Sequence, residues 1–461
     1  MPQIITADQT APATYTVQTT AADDFIYIAA GVLVSNSSPS SPAYATIGVF
    51  HDTNRIGVAG TLMAGGGPVI YSLNVNNSVT VTATGSILSL ATIWDAVDFR
   101  ASGAQVINHG EITGMLSAIR STIGDLVVYN TGLISGVTYG ISGATRVENL
   151  GTIRGANAVI MGTGDDTLIN TGSLIGDVTL GDGNDQFNGI GGFVSGTVFG
   201  GIGNDTFRIS DPLAQVFETS GQGTQDRVEA SVSFSLATTG EVEDLTLLGT
   251  ARDGFGNALG NTILGNGLGN LLIGRAGSDT LTGSAGDDTL QGDSGTDLLQ
   301  GDEGSDSLRG GLGDDTLQGG DGDDVLRGMA DHDSLQGGDG EDVLHGGAGR
   351  DTLDGGADAD TFLYRFVADS GAGTTLRDAI VGFAAGVDVI DLRQLDANSI
   401  VTGNQAFVFI GTAAFGSIAG QLRLVTGPNA VLQGDVNGDG VIDFAVQLNA
   451  VATVSVNDVL L

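Results

Sequence analysis

From Gly274 to Leu363 the chain repeats itself every nine residues, ten times without an insertion. The units read GRAGSDTLT, GSAGDDTLQ, GDSGTDLLQ, GDEGSDSLR, GGLGDDTLQ, GGDGDDVLR, GMADHDSLQ, GGDGEDVLH, GGAGRDTLD and GGADADTFL. The sixth place is always aspartate: Asp279, Asp288, Asp297, Asp306, Asp315, Asp324, Asp333, Asp342, Asp351 and Asp360. The eighth is leucine from Leu281 to Leu353, and Phe362 in the last unit. The first is glycine, at Gly274, Gly283, Gly292, Gly301, Gly310, Gly319, Gly328, Gly337 and Gly346 in the first nine units. An acidic, glycine-rich linker has no reason to hold one phase for ten units. A fixed phase means that one building block is used over and over, each block burying its apolar face against its neighbours.

The physics of one unit predicts its shape. Glycines allow the left-handed turn and a close approach of backbone carbonyls. The xDxLx half is a short strand with its apolar residue turned inward. Two units make one coil, and coils stack in parallel about 4.8 Å apart, so ten units give five coils and about 24 Å of solenoid. Stacking then sets Asp279 over Asp297 and Asp288 over Asp306. Carboxylates at that spacing repel by about 1 kcal/mol per pair even in water, and by more when partly buried. The ten units hold 22 acids against 4 arginines, in a chain of net charge −38 with 54 acids and 16 basic residues, all arginine. Such a chain repels nucleic acid and anionic lipid and takes cations as partners. With no cysteine, disulfides and thiolate metal sites are excluded. Calcium, a hard cation that takes six to eight oxygens, suits carboxylates and loop carbonyls.

The pattern resembles GGxGxDxUx, with U large and apolar, of the calcium-binding repeats-in-toxin (RTX) family. The resemblance implies several Ca2+ ions held between adjacent turns of a parallel β-roll, with the ten aspartates and nine glycines above as the ligand positions. GMADHDSLQ departs at Met329 and Asp331, and GGADADTFL at Asp358. Aspartate tolerates the left-handed region better than most residues. Two looser units, GNALGNTIL and GNGLGNLLI, precede the array from Gly256, with Asn261 and Asn270 in the aspartate place.

The N-terminal half repeats at a longer period. VAGTLMA, ATGSILS, NHGEITG, NTGLISG, NLGTIRG, NTGSLIG and GGFVSG place their first glycines 19 to 25 residues apart between Gly60 and Gly191. Each reads as one rung of a parallel β-helix, a polar turn before a short inward-facing strand. These rungs resemble those of bacterial surface adhesins and autotransporter passengers. GTGDDTL, GDGNDQF and GGIGNDTF, set among them, are RTX-like turns that make Asp166, Asp185 and Asp205 further candidate metal ligands.

Beyond Asp360 the beat changes, and DTFLYRFVADSGAGTTLRDAIVGF with GDVNGDGVIDFAVQLNAVATVSVNDVLL resembles the C-terminal domain of serralysin-type secreted proteases. That resemblance implies a cap on the roll and a type I secretion signal at Asp458-Val459-Leu460-Leu461. The N-terminus lacks the basic and apolar regions of a Sec signal. Phe25–Val34 is too short to span a bilayer, but it is apolar enough to cap the solenoid or pair with a neighbouring molecule. The expected fold is all-β: a parallel β-helix or β-solenoid continuing into an RTX β-roll, capped by a β-rich domain. The expected segments are 1–53 (cap and first strands), 54–208 (β-helix), 209–255 (connecting solenoid), 256–363 (RTX roll) and 364–461 (secretion and capping domain).

No catalytic residue is expected. None of His51, His109, His332 and His345 lies in an HExxH helix, and no G-x-S-x-G elbow occurs. His332 and His345 fall in repeat loops and read as solvated. DVNGDGVID (Asp435–Asp443) starts like a calcium loop but has Val446 where the twelfth-place glutamate belongs, so it reads as a polar turn. The function expected is that of a secreted, extracellular calcium-binding structural protein of the bacterial surface or matrix, associating with itself or with surface glycan. The alternative is a polysaccharide epimerase or lyase, a class this β-helix and RTX combination resembles. Its groove would be lined by Arg100, Arg120, Arg146 and Arg154 with Asp95, Asp98 and Asp125.

Overall fold

The structure, a computed structural model, describes residues 3–5, 9–11, 17–18, 25–36, 47–49, 53–65, 67–90, 94–123 and 125–461. It forms two units, Met1–Ala230 with Thr238–Val242, and Ser231–Ala237 with Glu243–Leu461. His51 and the first residues of the 1–53 segment lie outside the described residues.

The first unit is a parallel β-helix with three strand ladders. One runs through Phe25–Ile28, Arg55–Val58, Ser78–Val81, Gln105–Asn108 and Leu126–Asn130, and includes Thr206–Ile209 and Arg227–Ala230. A second includes Leu33–Asn36, Thr61–Ala64, Ser86–Ser89, Glu111–Gly114 and Leu133–Gly136. A third includes Ile70–Ser72, Val97–Phe99 and Ser117–Ser121. β-Branched residues at alternate positions favour this half-buried pleat. Along the first ladder, Ile26, Ile56, Val79, Val106, Val128, Val147, Leu168, Phe187, Phe207 and Val228 stack in register and are all buried.

Phe25–Val34 therefore does not cap the helix. Its strands pair on both edges, Phe25–Ile28 with Gln3–Ile5 and Arg55–Val58, and Leu33–Asn36 with Gln9–Ala11 and Thr61–Ala64. Ile26, Ile28 and Val34 point inward with no exposure. Their alternation makes the segment an ordinary rung.

The second unit is a two-faced roll. Thr280 pairs with Leu298 and Thr289 with Ser307, so one coil takes 18 residues, two nonapeptides. The eighth-place residues Leu281 to Leu353 and Phe362 fill the space between the faces. Asp378–Val381 continues one face from Thr352–Ala357, and Val389–Asp391 continues the other from Thr361–Leu363. An antiparallel meander, Gln421–Val425, Ala430–Asp435 and Phe444–Leu448, closes the first of these faces. Val459–Leu460 closes the second by pairing with Val389–Asp391. Tyr364 is buried edge-on against Phe444 beneath this cap.

Candidate metal centres

The sixth-place aspartates of the roll form two ladders. In each, the backbone N–H of one aspartate donates to Oδ1 of the aspartate one coil further on. The first ladder runs from Asn261 through Asp279, Asp297, Asp315, Asp333 and Asp351 to Asp378, at 2.7–2.9 Å. The second runs from Asn270 through Asp288, Asp306, Asp324, Asp342 and Asp360 to Asp388, at 2.6–3.2 Å. Asp378 and Asp388 extend both ladders beyond the last nonapeptide. Each sits two residues before a buried isoleucine, Ile380 or Ile390, which is the spacing of the sixth and eighth places.

The turn glycines leave room for these carboxylates. A Cβ on Gly310 would lie 2.3 Å from Oδ2 of Asp315, and the other first-place glycines stand in the same relation to their own aspartates. Second-place residues take left-handed backbone even when they are not glycine, with φ of 87° at Arg275, 76° at Asp293 and 91° at Met329. Asp331 and Asp358, which replace the fourth-place glycine, do so too, at 75° and 74°.

All ten sixth-place aspartates are buried, and none has a hydrogen-bond donor on its Oδ2. Burial, reinforced by neighbouring carboxylates, pushes Asp279, Asp288 and Asp324 up to about 7 and Asp333 to about 8. Asp315, Asp342, Asp351 and Asp360 rise to about 6. A buried acceptor without a donor costs roughly 1–3 kcal/mol, and a charged one more. Ten would offset the 5–15 kcal/mol that holds a typical domain together. Oxygen-only donors, buried and of one sign, fit a hard divalent cation and no thiolate- or imidazole-seeking metal.

The first unit carries a shorter ladder of the same kind. Asp166, Asp185 and Asp205 each donate a backbone N–H to Oδ1 of the next, ending on Asp226, at 2.7 Å throughout. Gly162 donates to Oδ2 of Asp166, whereas Oδ2 of Asp185 and of Asp205 has no donor. Burial raises Asp166 and Asp205 to about 7 and Asp185 to about 6. Glu218 joins this ladder at Asp205 and Asp226, with all three within 4.8 Å of one another and all buried.

His345 is not solvated. Its Nε2 lies 3.1 Å from Asp369 Oδ2, which also accepts from the N–H groups of Arg365 and Phe366. His332 is exposed. In the Asp435–Asp443 turn, backbone N–H groups already occupy the carboxylates: Gly438 and Gly440 donate to Asp435, and Val436 to Asp443. Of the groove candidates, Asp95, Asp98, Arg100 and Arg120 come together, with Arg100–Asp98 at 3.1 Å and Arg120–Asp95 at 3.5 Å. Arg100 also lies over the Tyr71 ring, and burial raises the Asp98 carboxyl. Arg146 pairs with Glu148, Arg154 donates to Ser135, and Asp125 holds a left-handed turn, so these three do not join that cluster.

The family model of the RTX calcium-binding nonapeptide repeat matches residues 264–299, 300–335 and 327–362. The chain carries RTX repeats. RTX nonapeptides bind Ca2+, and the donorless carboxylates of this RTX array suit that ion. Proteins with such repeats are typically secreted calcium binders. Among the described residues no helix is long and apolar enough to cross a membrane. The solution structure of the AlgE6R3 subunit from the Azotobacter vinelandii mannuronan C5-epimerase is similar over 32% of this chain and 80% of that one. The identity is 27% and the TM-score 0.24. No curated protein matches the chain.

Proposed function

We propose that the chain is an extracellular calcium-binding structural protein of the bacterial surface or matrix, whose roll folds when it meets calcium outside the cell. The observation that carries this reading is the pair of aspartate ladders with their donorless buried oxygens. Calcium would sit between coils, held by sixth-place aspartates and by carbonyls of the glycine turns. Cytosolic calcium is too low to fill sites of the millimolar class, and extracellular calcium is not. The array stays loose inside, suited to export, and is stabilised outside by mass action. Asp458–Leu461 is read by the type I machinery before folding. Afterwards Asp458 is buried, and its carboxylate accepts from Gly386 and Ser455.

The reading includes self-association. Negative-stain electron microscopy in millimolar calcium and in chelator tests the assembly. Sheets or filaments that dissolve on chelation support it; monodisperse particles in both conditions sink it.

The cluster of Asp95, Asp98, Arg100 and Arg120 favours a second reading, a polysaccharide-modifying enzyme. Buried carboxylates beside arginines and an aromatic ring suit an acidic sugar chain. Incubation with polyuronates and an assay for unsaturated or epimerised products decides it. No turnover by the calcium-loaded protein would eliminate this reading.

A further inference from the structure

We propose that Asp205, Glu218 and Asp226 form a dedicated hard-cation site in the first unit, filled by Ca2+ and tighter than any single site of the RTX array. Their carboxylates lie within 4.8 Å of one another, and the residues are 0–1% exposed. Each is fixed by a backbone donor. Asp185 N–H holds Oδ1 of Asp205 at 2.7 Å, Asp205 N–H holds Oδ1 of Asp226 at 2.7 Å, and Gly201 N–H holds Oε2 of Glu218 at 3.2 Å. Glu218 Oε1 and Asp205 Oδ2 then face the cluster with no hydrogen-bond donor.

The backbone is shaped around this group. A Cβ on Gly200 would collide with Glu218 Oε1 and stand 2.3 Å from Asp205 Oδ2. One on Gly223 would stand 2.4 Å from both Asp226 Oδ2 and the Gly203 carbonyl oxygen. Carboxylates and a carbonyl converging at glycine turns are calcium donors. Glu218 lies outside every nonapeptide phase and follows the strand Gln215–Phe217, so the third carboxylate is an addition to the repeat pattern. In the array, by contrast, a coil contributes one sixth-place carboxylate per ladder. A third charge on fixed anchors raises affinity, because ligand charge and site rigidity set calcium binding.

The site does not depend on the array. Full-length protein is equilibrated at a series of buffered free-calcium levels, and bound metal is counted by mass spectrometry of the ion after rapid desalting. Wild type should show one ion filling at a free calcium at least ten-fold below the array's midpoint. Glu218→Gln should lose that first ion and leave the later ones in place. A single unresolved filling transition, or a first ion retained by E218Q, overturns the proposal. The carboxylates would then share a proton. If E218Q does not fold by circular dichroism, Glu218→Asp, which keeps the charge and withdraws it by one methylene, must shift the first ion alone. Loss of all later ions in wild type would instead count against the array reading.

Discussion

Two ladders in this molecule stack the same side-chain shape and differ by one atom. In the first unit Asn108, Asn130, Asn149 and Asn170 stack on successive rungs, all fully buried. Each Nδ2 donates to the Oδ1 of the next, at 2.8, 2.7 and 2.7 Å. Spare amide protons reach carbonyls such as Gly132 and Thr152. An amide is donor and acceptor at once, so an asparagine ladder satisfies itself and needs nothing from solution. In the second unit the stacked residue is aspartate, which only accepts when ionised. One oxygen finds the backbone N–H of the coil before it, and the other finds no donor. The aspartate ladder is an incomplete structure that a cation completes. Asn261 and Asn270, at its near ends, mark the change, since their Nδ2 groups donate to the Glu243, Ala251 and Arg252 carbonyls.

The largest effect expected from this difference is that of chelation. Removing calcium should open the nonapeptide array and spare the asparagine rungs. Each independent site loses about 2.7 kcal/mol when free calcium falls from a hundred times its dissociation constant to none, and several such losses exceed a domain's stability. Limited proteolysis in chelator should cut between residues 274 and 363 while a fragment spanning Asn108–Asn170 survives. Equal resistance of both regions would break the comparison.

Exchanging the two residues sharpens it. Asn130→Asp replaces a donor that reaches Asn149 Oδ1, Gly132 O and Thr152 O with a carboxylate oxygen facing those three. A buried charge left uncompensated costs about 3–5 kcal/mol, so the first unit should melt well below wild type whether or not calcium is present. Asp315→Asn does the reverse. Its Oδ1 still accepts from Asp297 N–H, and the donorless oxygen becomes an NH2. The array should gain about 1–3 kcal/mol in chelator and need more calcium to reach its full stability. Calorimetry with and without calcium reads both variants, and a D315N roll weakened in chelator would contradict the account.

The roll was legible because its phase never slips: strands, inward leucines, the 18-residue coil and the stacking of Asp279 on Asp297 all follow from counting in nines. What the count missed lies where the phase is lost. Asp378 and Asp388 join the ladders across 27 and 28 residues instead of 18, and each keeps only one glycine at the repeat spacing, Gly373 at the first place before Asp378 and Gly386 at the fourth before Asp388. Glu218 belongs to no repeat and meets Asp205 only because a neighbouring turn returns to it. Asp226 sits in GQGTQDRV, where Thr224 takes the fourth-place glycine's position. His345 read as a loop residue because Asp369, its partner, comes 24 residues later. The N-x-G recurrence revealed the β-helix rungs, but a sequence gives no sign that their asparagines bond to one another.

The effect most specific to the difference is on pH. Unfolded aspartates ionise near 3.9, whereas in the calcium-free roll burial holds Asp315 and Asp342 near 6, Asp279 near 7 and Asp333 near 8. Between those values the folded state binds more protons than the unfolded one, so its stability falls as pH rises. In chelator the array should therefore be most protected from hydrogen exchange near pH 4 and should lose that protection progressively toward pH 8. In calcium the trend reverses, because protons compete with the ion for the same oxygens. Amides around Asn130 and Asn149, whose side chains do not titrate, should follow neither trend after correction for intrinsic exchange. A calcium-free array that gains stability with rising pH would mean that its carboxylates find their partners within the chain, and the distinction between the two ladders would fall.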